Sequence, residues 1–234
     1  VLALLKYTSP LLKASGRPAL NLILPLGISF YTFQSMGYLI DVYNGKYAPE
    51  KNPAKFALFV SFFPQLIQGP IARYDQLAPQ LLAPNRFDAD TFKSGALLIL
   101  WGFFKKKVIA DRALPLVAEV FGHQGAYGGA VIVIAVLFYS LQQYADFSGG
   151  IDMVLGLSRM LGLPMSENFN TPYFSQSVQE FWNRWHITLG AWFREYLYIP
   201  LGGNRKGTLR TIVNLAVVWL FTGLWQGGGG NYLL

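Results

Sequence analysis

Cysteine is absent from the 234 residues, and charged side chains make up only 13% of them. The absence of cysteine excludes disulfide bonds, thiolate zinc sites and a cysteine nucleophile. An ordinary soluble domain carries roughly 25% charged residues. This chain is instead 53% hydrophobic, with a mean hydropathy of +0.32. The composition therefore predicts a membrane protein.

Histidine occurs only at positions 123 and 186, and the common motifs of soluble enzymes are missing. The chain has no Walker loop, G-x-G-x-x-G fingerprint, G-x-S-x-G elbow or H-E-x-x-H pair. These absences count against a nucleotide-binding protein and a soluble hydrolase. The two histidines are far apart in sequence, so we predict no metal site. Glycines flank His123, which predicts a loop position for it.

The formal net charge is +7, yet the basic residues stand in short clusters between apolar runs. Two such clusters are the lysines at 105–107 and the group Arg205, Lys206 and Arg210. Clusters of this kind are typical of loops on the cytoplasmic side of a membrane. We therefore predict membrane lipid as a partner and no nucleic acid.

Three apolar stretches predict membrane-spanning helices, namely residues 18–40, 125–145 and 211–225. The first two contain no charged residue and are long enough to cross a hydrocarbon core of about 30 Å. Residues 56–72 are also uncharged, but their prolines and glycine predict a broken or re-entrant helix. Residues 95–104 are apolar and are predicted to stop at the three lysines that follow.

The other segments are more polar. Residues 47–55 and 77–90 contain prolines and charges, which predicts connecting loops. Residues 148–164 include Asp152 and Arg159, so a half-buried or interfacial helix is expected there. Residues 175–199 are similarly amphipathic.

The run FWNRWHITL at residues 181–189 places a histidine, an arginine and two tryptophans in an apolar chain. If the run is helical, the tryptophans, His186 and Leu189 share one face, and Glu180 pairs with Arg184. A buried imidazole can accept a proton from an attacking hydroxyl near neutral pH. The alternatives are a structural role for His186 and a lipid-anchoring or purely ion-pairing role for Arg184.

Several ordered motifs resemble those of one family. They are LPLGISFYTFQ at 24–34, YLIDVY at 38–43, FPQLIQGPI at 63–71, DFSG at 146–149, FWNRWHITL at 181–189 and YLYIPLGGN at 196–204. With them the chain resembles the membrane-bound O-acyltransferase family, in particular its alginate-acetylating members. The resemblance covers nearly the whole chain and implies that residues 1–234 are the central portion, a fragment, of one such domain. It implies an all-α, polytopic membrane bundle around a tunnel.

The resemblance also implies an activity. The expected reaction is transfer of an acyl group, acetyl by the same resemblance, to a hydroxyl of an extracytoplasmic polysaccharide or a partner protein. The implied donor is acetyl-CoA, without a bound cofactor, and the implied location is the bacterial inner membrane. Two other interpretations are a noncatalytic membrane scaffold of the same fold and a transporter, since intramembrane polar residues also line permeation paths.

The chain departs from the family pattern at residue 226. The family's last motif reads Trp-His-Gly, and its histidine is regarded as catalytic, whereas residues 225–227 here read WQG. A glutamine amide forms hydrogen bonds but exchanges no proton near neutral pH. We expect His186 to position or polarise a reacting group and Gln226 to mark the catalytic position. The residues expected to bind substrate or line the tunnel are Trp182, Arg184, Trp185, Asp146, Ser148 and Asn231.

For Asp146, Ser148 and the segment that contains Asn231, a purely structural role is the alternative to substrate binding. Asp146 and Ser148 have the side chains that favour helix-end caps. The glycines at 227–230, which precede Asn231, permit close helix packing or a loosely structured segment.

Overall fold

The structure, a computed structural model, describes residues 7–9, 12–13, 15–18 and 25–227. This part of the protein is all-helical, as predicted, and contains no strand beyond an isolated bridge between Phe169 and Trp185. Its α-helices are α1 (Ile28–Tyr43), α2 (Pro53–Val60), α3 (Tyr74–Leu82), α4 (Ala89–Phe104), α5 (Asp111–Gly122), α6 (Gly129–Met160), α7 (Val178–Arg184), α8 (Ile187–Phe193) and α9 (Thr208–Gln226). Wider π-helical turns follow α4 at Lys105–Ala110 and α8 at Arg194–Tyr198.

The chain divides into two compact units. The first comprises Val1–Ile67, Ile71–Ala78 and His186–Leu234, and the second comprises Gln68–Pro70 and Pro79–Trp185. Trp185 and His186 are neighbours in sequence but belong to different units.

Helix α1 begins later than the sequence predicts. The span expected at 18–40 is wrong as one continuous helix, because Pro25 is not helical and Gly27 adopts a left-handed φ of 75° just before Ile28. A side chain at Gly27 would overlap the carbonyl group of Leu66. Residues 19–24 lie outside the described residues. The core around α1 contains Phe33, Ile71, Leu189, Trp192 and Phe193.

Helices α4 and α6 of the second unit pack closely at two levels of paired glycines. Gly95 faces Gly156, and Gly102 faces Gly149. A Cβ at any of these positions would lie 2.5 to 2.8 Å from the carbonyl oxygen of the opposite glycine. The two levels are seven positions apart on each helix, so they recur on one face. Small residues at such a contact allow the two backbones to approach each other.

Two helices of the described residues are long and apolar enough to cross a membrane, α6 and α9. They contain most of the residues predicted at 125–145 and 211–225, so these stretches are confirmed as apolar helices of spanning length. Residues 148–160 are not a separate piece, because α6 continues through them without interruption.

Other boundaries also differ from the prediction. The break predicted within 56–72 is confirmed, since α2 ends at Val60 and only a short turn at Phe63–Gln65 follows. The predicted loops at 47–55 and 77–90 are partly wrong: the side chain of Asn52 caps α2 at its start, and α3 extends to Leu82. The apolar stretch 95–104 does not stop at the lysines, because the helical path continues into α5.

Candidate functional site

The helix predicted through residues 181–189 breaks in its middle. Helix α7 ends at Arg184, Trp185 is extended with φ −105° and ψ 126°, and His186 is left-handed with φ 47° and ψ 53°. The predicted helical face shared by the tryptophans and His186 is therefore wrong. A left-handed conformation in a residue other than glycine costs on the order of 1–3 kcal/mol and is concentrated at functional sites.

Arg184 is bonded within the second unit on the N-terminal side of this break. Its Nη2 lies 2.7 Å from a carboxylate oxygen of Glu180, which confirms the predicted pair. Its Nη1 donates to the hydroxyl of Thr171 at 3.2 Å, and its carbonyl accepts from the backbone N–H of Asn170 at 2.9 Å. Arg184 thus ties α7 to the segment before it. A role for Arg184 in substrate binding stays a prediction.

The two tryptophans of the run have different surroundings. Trp182 is 42% exposed. Trp185 packs among the aromatic rings of Tyr144, Phe147, Phe169, Tyr173 and Phe181, with centroid distances of 5.0 to 6.4 Å. Trp185 therefore belongs to the aromatic core of the second unit, and its proposed contact with substrate stays a prediction.

His186 lies in the first unit and is only 6% exposed. Its ring centroid is 6.3 Å from that of Trp225, and its carbonyl accepts from the N–H of Gly190. It lies outside the two helices that are long enough to span a membrane. Burial lowers the pKa of His186 from 6.5 to about 4, because desolvation disfavours the charged ring. The imidazole is therefore neutral at physiological pH.

Trp225 and Gln226 are the last two residues of α9. The ring of Trp225 is turned toward His186, whereas Gln226 is exposed. The structure thus places His186 beside the residue that precedes position 226. The glycines at 228–230 and Asn231 lie outside the described residues.

Asp146 and Ser148 lie well inside α6, so the expectation of a helix-end cap is wrong for both. Asp146 pairs with Lys106 at 2.5 Å, and the Ser148 hydroxyl accepts from Lys105 at 3.3 Å. Lys105 also pairs with Asp152 at 2.6 Å, and their side chains are only 12% and 17% exposed.

Lys105, Lys106 and Asp152 were noted in the sequence only as part of a basic cluster and of a polar segment, and not as site residues. Two features of the sequence could have indicated them: a run of lysines at the end of an apolar stretch, and a lone carboxylate within a second apolar stretch. Charges in apolar surroundings need partners, so these residues were candidates for mutual pairing.

A second group of buried polar side chains lies in the first unit. The guanidinium of Arg73 stands 4.3 Å from the ring centre of Tyr196 and pairs with Glu195 at 2.8 Å. Gln34 is 3% exposed, and its Oε1 has no hydrogen-bond partner among the described residues. The space between these groups is too narrow for a water molecule. In the part of the chain that the structure describes, no three His, Asp or Glu side chains form a metal site.

The fold and these contacts define a helical protein with two apolar helices of spanning length and a buried histidine near the end of one of them. Residues 49–234 match the profile of MBOAT, the membrane-bound O-acyltransferase family. Because the match covers most of the chain, the chain belongs to this family of membrane proteins.

The chain is also similar to individual proteins. It is 46% identical over 215 residues to the probable alginate O-acetylase AlgI of Pseudomonas fluorescens, covering 92% of this chain and 43% of the relative. It is 45% identical over 214 residues to the probable alginate O-acetylase AlgI of Pseudomonas aeruginosa, covering 92% and 41%. The peptidoglycan O-acetyltransferase of Helicobacter pylori is 38% identical over 241 residues, covering 92% and 46%. The chain thus spans less than half the length of each.

Proposed function

We propose that the chain is part of an O-acyltransferase of the bacterial inner membrane. The enzyme transfers acetyl from acetyl-CoA to a hydroxyl of an extracytoplasmic polysaccharide or of a partner protein, within a tunnel between membrane helices. Family membership supports acyl transfer. The names of two kinds of relative, alginate O-acetylase and peptidoglycan O-acetyltransferase, support acetyl as the group and a polymer as the acceptor.

In the proposed reaction, the acceptor oxygen attacks the carbonyl carbon of the acetyl thioester. A carbon–oxygen bond forms and the carbon–sulfur bond breaks. His186 takes the proton of the attacking hydroxyl and returns it to the leaving thiolate, so that the products are the acetyl ester and the free thiol. Only a neutral imidazole has the lone pair that this step requires.

The observation that carries this proposal is the placement of His186. It is buried, neutral, left-handed in its backbone and next to Trp225, the residue before the position of the family's histidine. Gln226 contributes hydrogen bonds to a reacting group, whereas His186 is the group that exchanges protons.

The test is transfer of labelled acetyl from acetyl-CoA to the polymer by the full-length protein in membranes. We expect His186→Ala to lower the rate about 10²- to 10⁴-fold, the usual contribution of a general base. His123→Ala is the matched control, because its side chain is 66% exposed. Transfer that is unchanged in His186→Ala would contradict the role of His186, and absence of transfer in both the wild type and Gln226→His would contradict acyl transfer itself. Movement of polymer or lipid without donor consumption would favour a transporter.

Gln226 favours a second candidate, a noncatalytic scaffold that keeps the fold and has lost the family's histidine. This hypothesis predicts that the wild-type protein transfers no acetyl and that Gln226→His restores transfer. An active wild-type protein whose rate is unchanged by Gln226→His would rule out the scaffold and show that residue 226 does not limit the chemistry.

A further inference from the structure

The side chain of Trp225 contacts both α1 and His186. Its ring stacks on Phe33, with centroids 5.2 Å apart and planes 13° from parallel, and meets the edge of Phe30 at 5.8 Å. Its Nε1 donates to the carbonyl of Ser29 at 3.4 Å. The same ring lies 6.3 Å from the imidazole of His186. Trp225 therefore joins the end of α9 to α1 and to the histidine.

Phe33, on which Trp225 stacks, is itself held by a second tryptophan. The rings of Phe33 and Trp192 are 4.1 Å apart and only 5° from parallel. Trp192 Nε1 donates to the carbonyl of Phe33 at 3.0 Å. Both rings are buried, at 7% and 5% exposure. The surface that receives Trp225 is thus fixed by packing and by a hydrogen bond.

The two indole hydrogen bonds end on carbonyls of α1 that are four positions apart, at Ser29 and Phe33. These carbonyls lie about one turn apart along a helix of 3.6 residues per turn. One indole comes from α8 and the other from α9. Both helices are therefore tied to the same side of α1.

The position of Trp225 also sets the direction of residue 226. Adjacent side chains on an α-helix point about 100° apart. Once the Trp225 indole is fixed against Phe33 and Ser29, the side chain at 226 has a defined direction from the helix end.

We propose that Trp225 is a positioning residue for the reaction centre. It holds the imidazole of His186 in one place, covers it from water and sets the direction of residue 226. This inference rests on the proposed function for the role of His186 in acyl transfer, but the shielding of His186 is measurable without any activity.

The first experiment measures how fast diethyl pyrocarbonate modifies each histidine of the full-length protein, followed by mass spectrometry. In the wild type, we expect His186 to be protected and the exposed His123 to react. Trp225→Leu should raise the rate at His186 toward that at His123. Trp219→Leu is the matched control, because Trp219 is on the same helix and 51% exposed.

Trp225→Phe is the second variant, because it keeps an aromatic ring to stack on Phe33 while removing the N–H donor and the second ring of the indole. It should leave His186 protected, or nearly so, even if the leucine variant does not fold. Protection of His186 that persists in folded Trp225→Leu, or that is lost equally in Trp219→Leu, would overturn the proposal.

The second experiment measures kcat and KM with whichever form transfers acetyl, the wild type or Gln226→His. Trp225→Leu should lower kcat about 100-fold, as expected for a misplacement of about 1 Å, and leave KM unchanged. A matching rise in KM with unchanged kcat would contradict positioning. If His186→Ala remains active, the proposed role of His186 in acyl transfer fails, whereas the modification result still decides whether Trp225 shields the histidine.

Discussion

Two buried sites, one in each unit, treat their ionisable side chains differently. In the first unit, His186 lies against the Trp225 ring, and burial keeps its imidazole neutral. In the second unit, Lys105 and Asp152 are almost as deeply buried, and they pair at 2.6 Å. A buried group that must stay charged needs a partner, whereas burial alone keeps an imidazole neutral, with one ring nitrogen able to accept a hydrogen bond.

This difference separates structural polar groups from a candidate reactive one. In the second unit, Lys105 and Lys106 pair with Asp152 and Asp146, and these pairs join the turn after α4 to α6 beside the paired glycines. His186 instead sits at a strained backbone position beside the ring of Trp225. The contrast favours chemistry at His186 and helix assembly at Lys105 and Asp152.

The largest expected effect is on the paired charges. Lys105→Met leaves the Asp152 carboxylate buried without its partner, which should lower the free energy of unfolding by about 3 kcal/mol. Adding Asp152→Asn removes the second charge and should recover most of this loss. The measurement is chemical unfolding of the full chain in detergent, and a double variant as unstable as the single one would contradict the explanation.

Lys107 provides the matched control within the same lysine run. It pairs with Asp111 at 2.9 Å, but its side chain is 66% exposed. Because exposed ion pairs contribute little, Lys107→Met should leave the unfolding transition unchanged. An equal loss of unfolding free energy in Lys105→Met and Lys107→Met would mean that burial does not determine how much an ion pair stabilises the fold.

A smaller loss is expected when the close contact of α4 and α6 is disturbed. An alanine Cβ at Gly102 would lie 2.5 Å from the carbonyl oxygen of Gly149. Overpacking of this kind should lower the free energy of unfolding by about 2 kcal/mol. Gly122→Ala is the control, since no atom lies within 4 Å of a Cβ built there. Comparable unfolding curves for the two variants would argue against tight packing at Gly102.

The smallest effect concerns the pH dependence that His186 confers. Its pKa is about 4 in the folded chain and 6.5 ordinarily, so the unfolded chain binds the proton more readily. The contribution of His186 to stability is complete at a pH above its ordinary pKa, and it is lost as the pH falls toward the pKa of the folded chain. Between about pH 7 and about pH 5.5, this loss should be about 1 kcal/mol. Chemical unfolding at the two pH values measures this loss, which should disappear in His186→Gln. A variant with the same pH dependence as the wild type would contradict the assignment of the loss to His186.

Much of the fold follows from local pattern. Long uncharged runs predict α6 and α9, and the prolines near residue 64 predict the break after α2. The i, i+4 spacing predicts the pair of Glu180 and Arg184. These features depend on residues close in sequence.

The missed features depend on partners far away in sequence. The break at Trp185 requires the bridge to Phe169, and helical periodicity gives no sign of that contact. The continuation of α6 past Ser148 requires glycines and lysines from α4 and the turn after it. The sequence therefore predicted the burial of His186 correctly, but placed it wrongly on a continuous helical face.

The most direct test of the central claim is a titration of His186 by ¹⁵N NMR in the full-length, histidine-labelled protein, with the signal assigned by its loss in His186→Gln. The account predicts a neutral imidazole that takes up a proton only near the folded pKa of about 4. A midpoint at or above the ordinary value of 6.5 would contradict it, because His186 would then be as accessible to water as an unburied histidine.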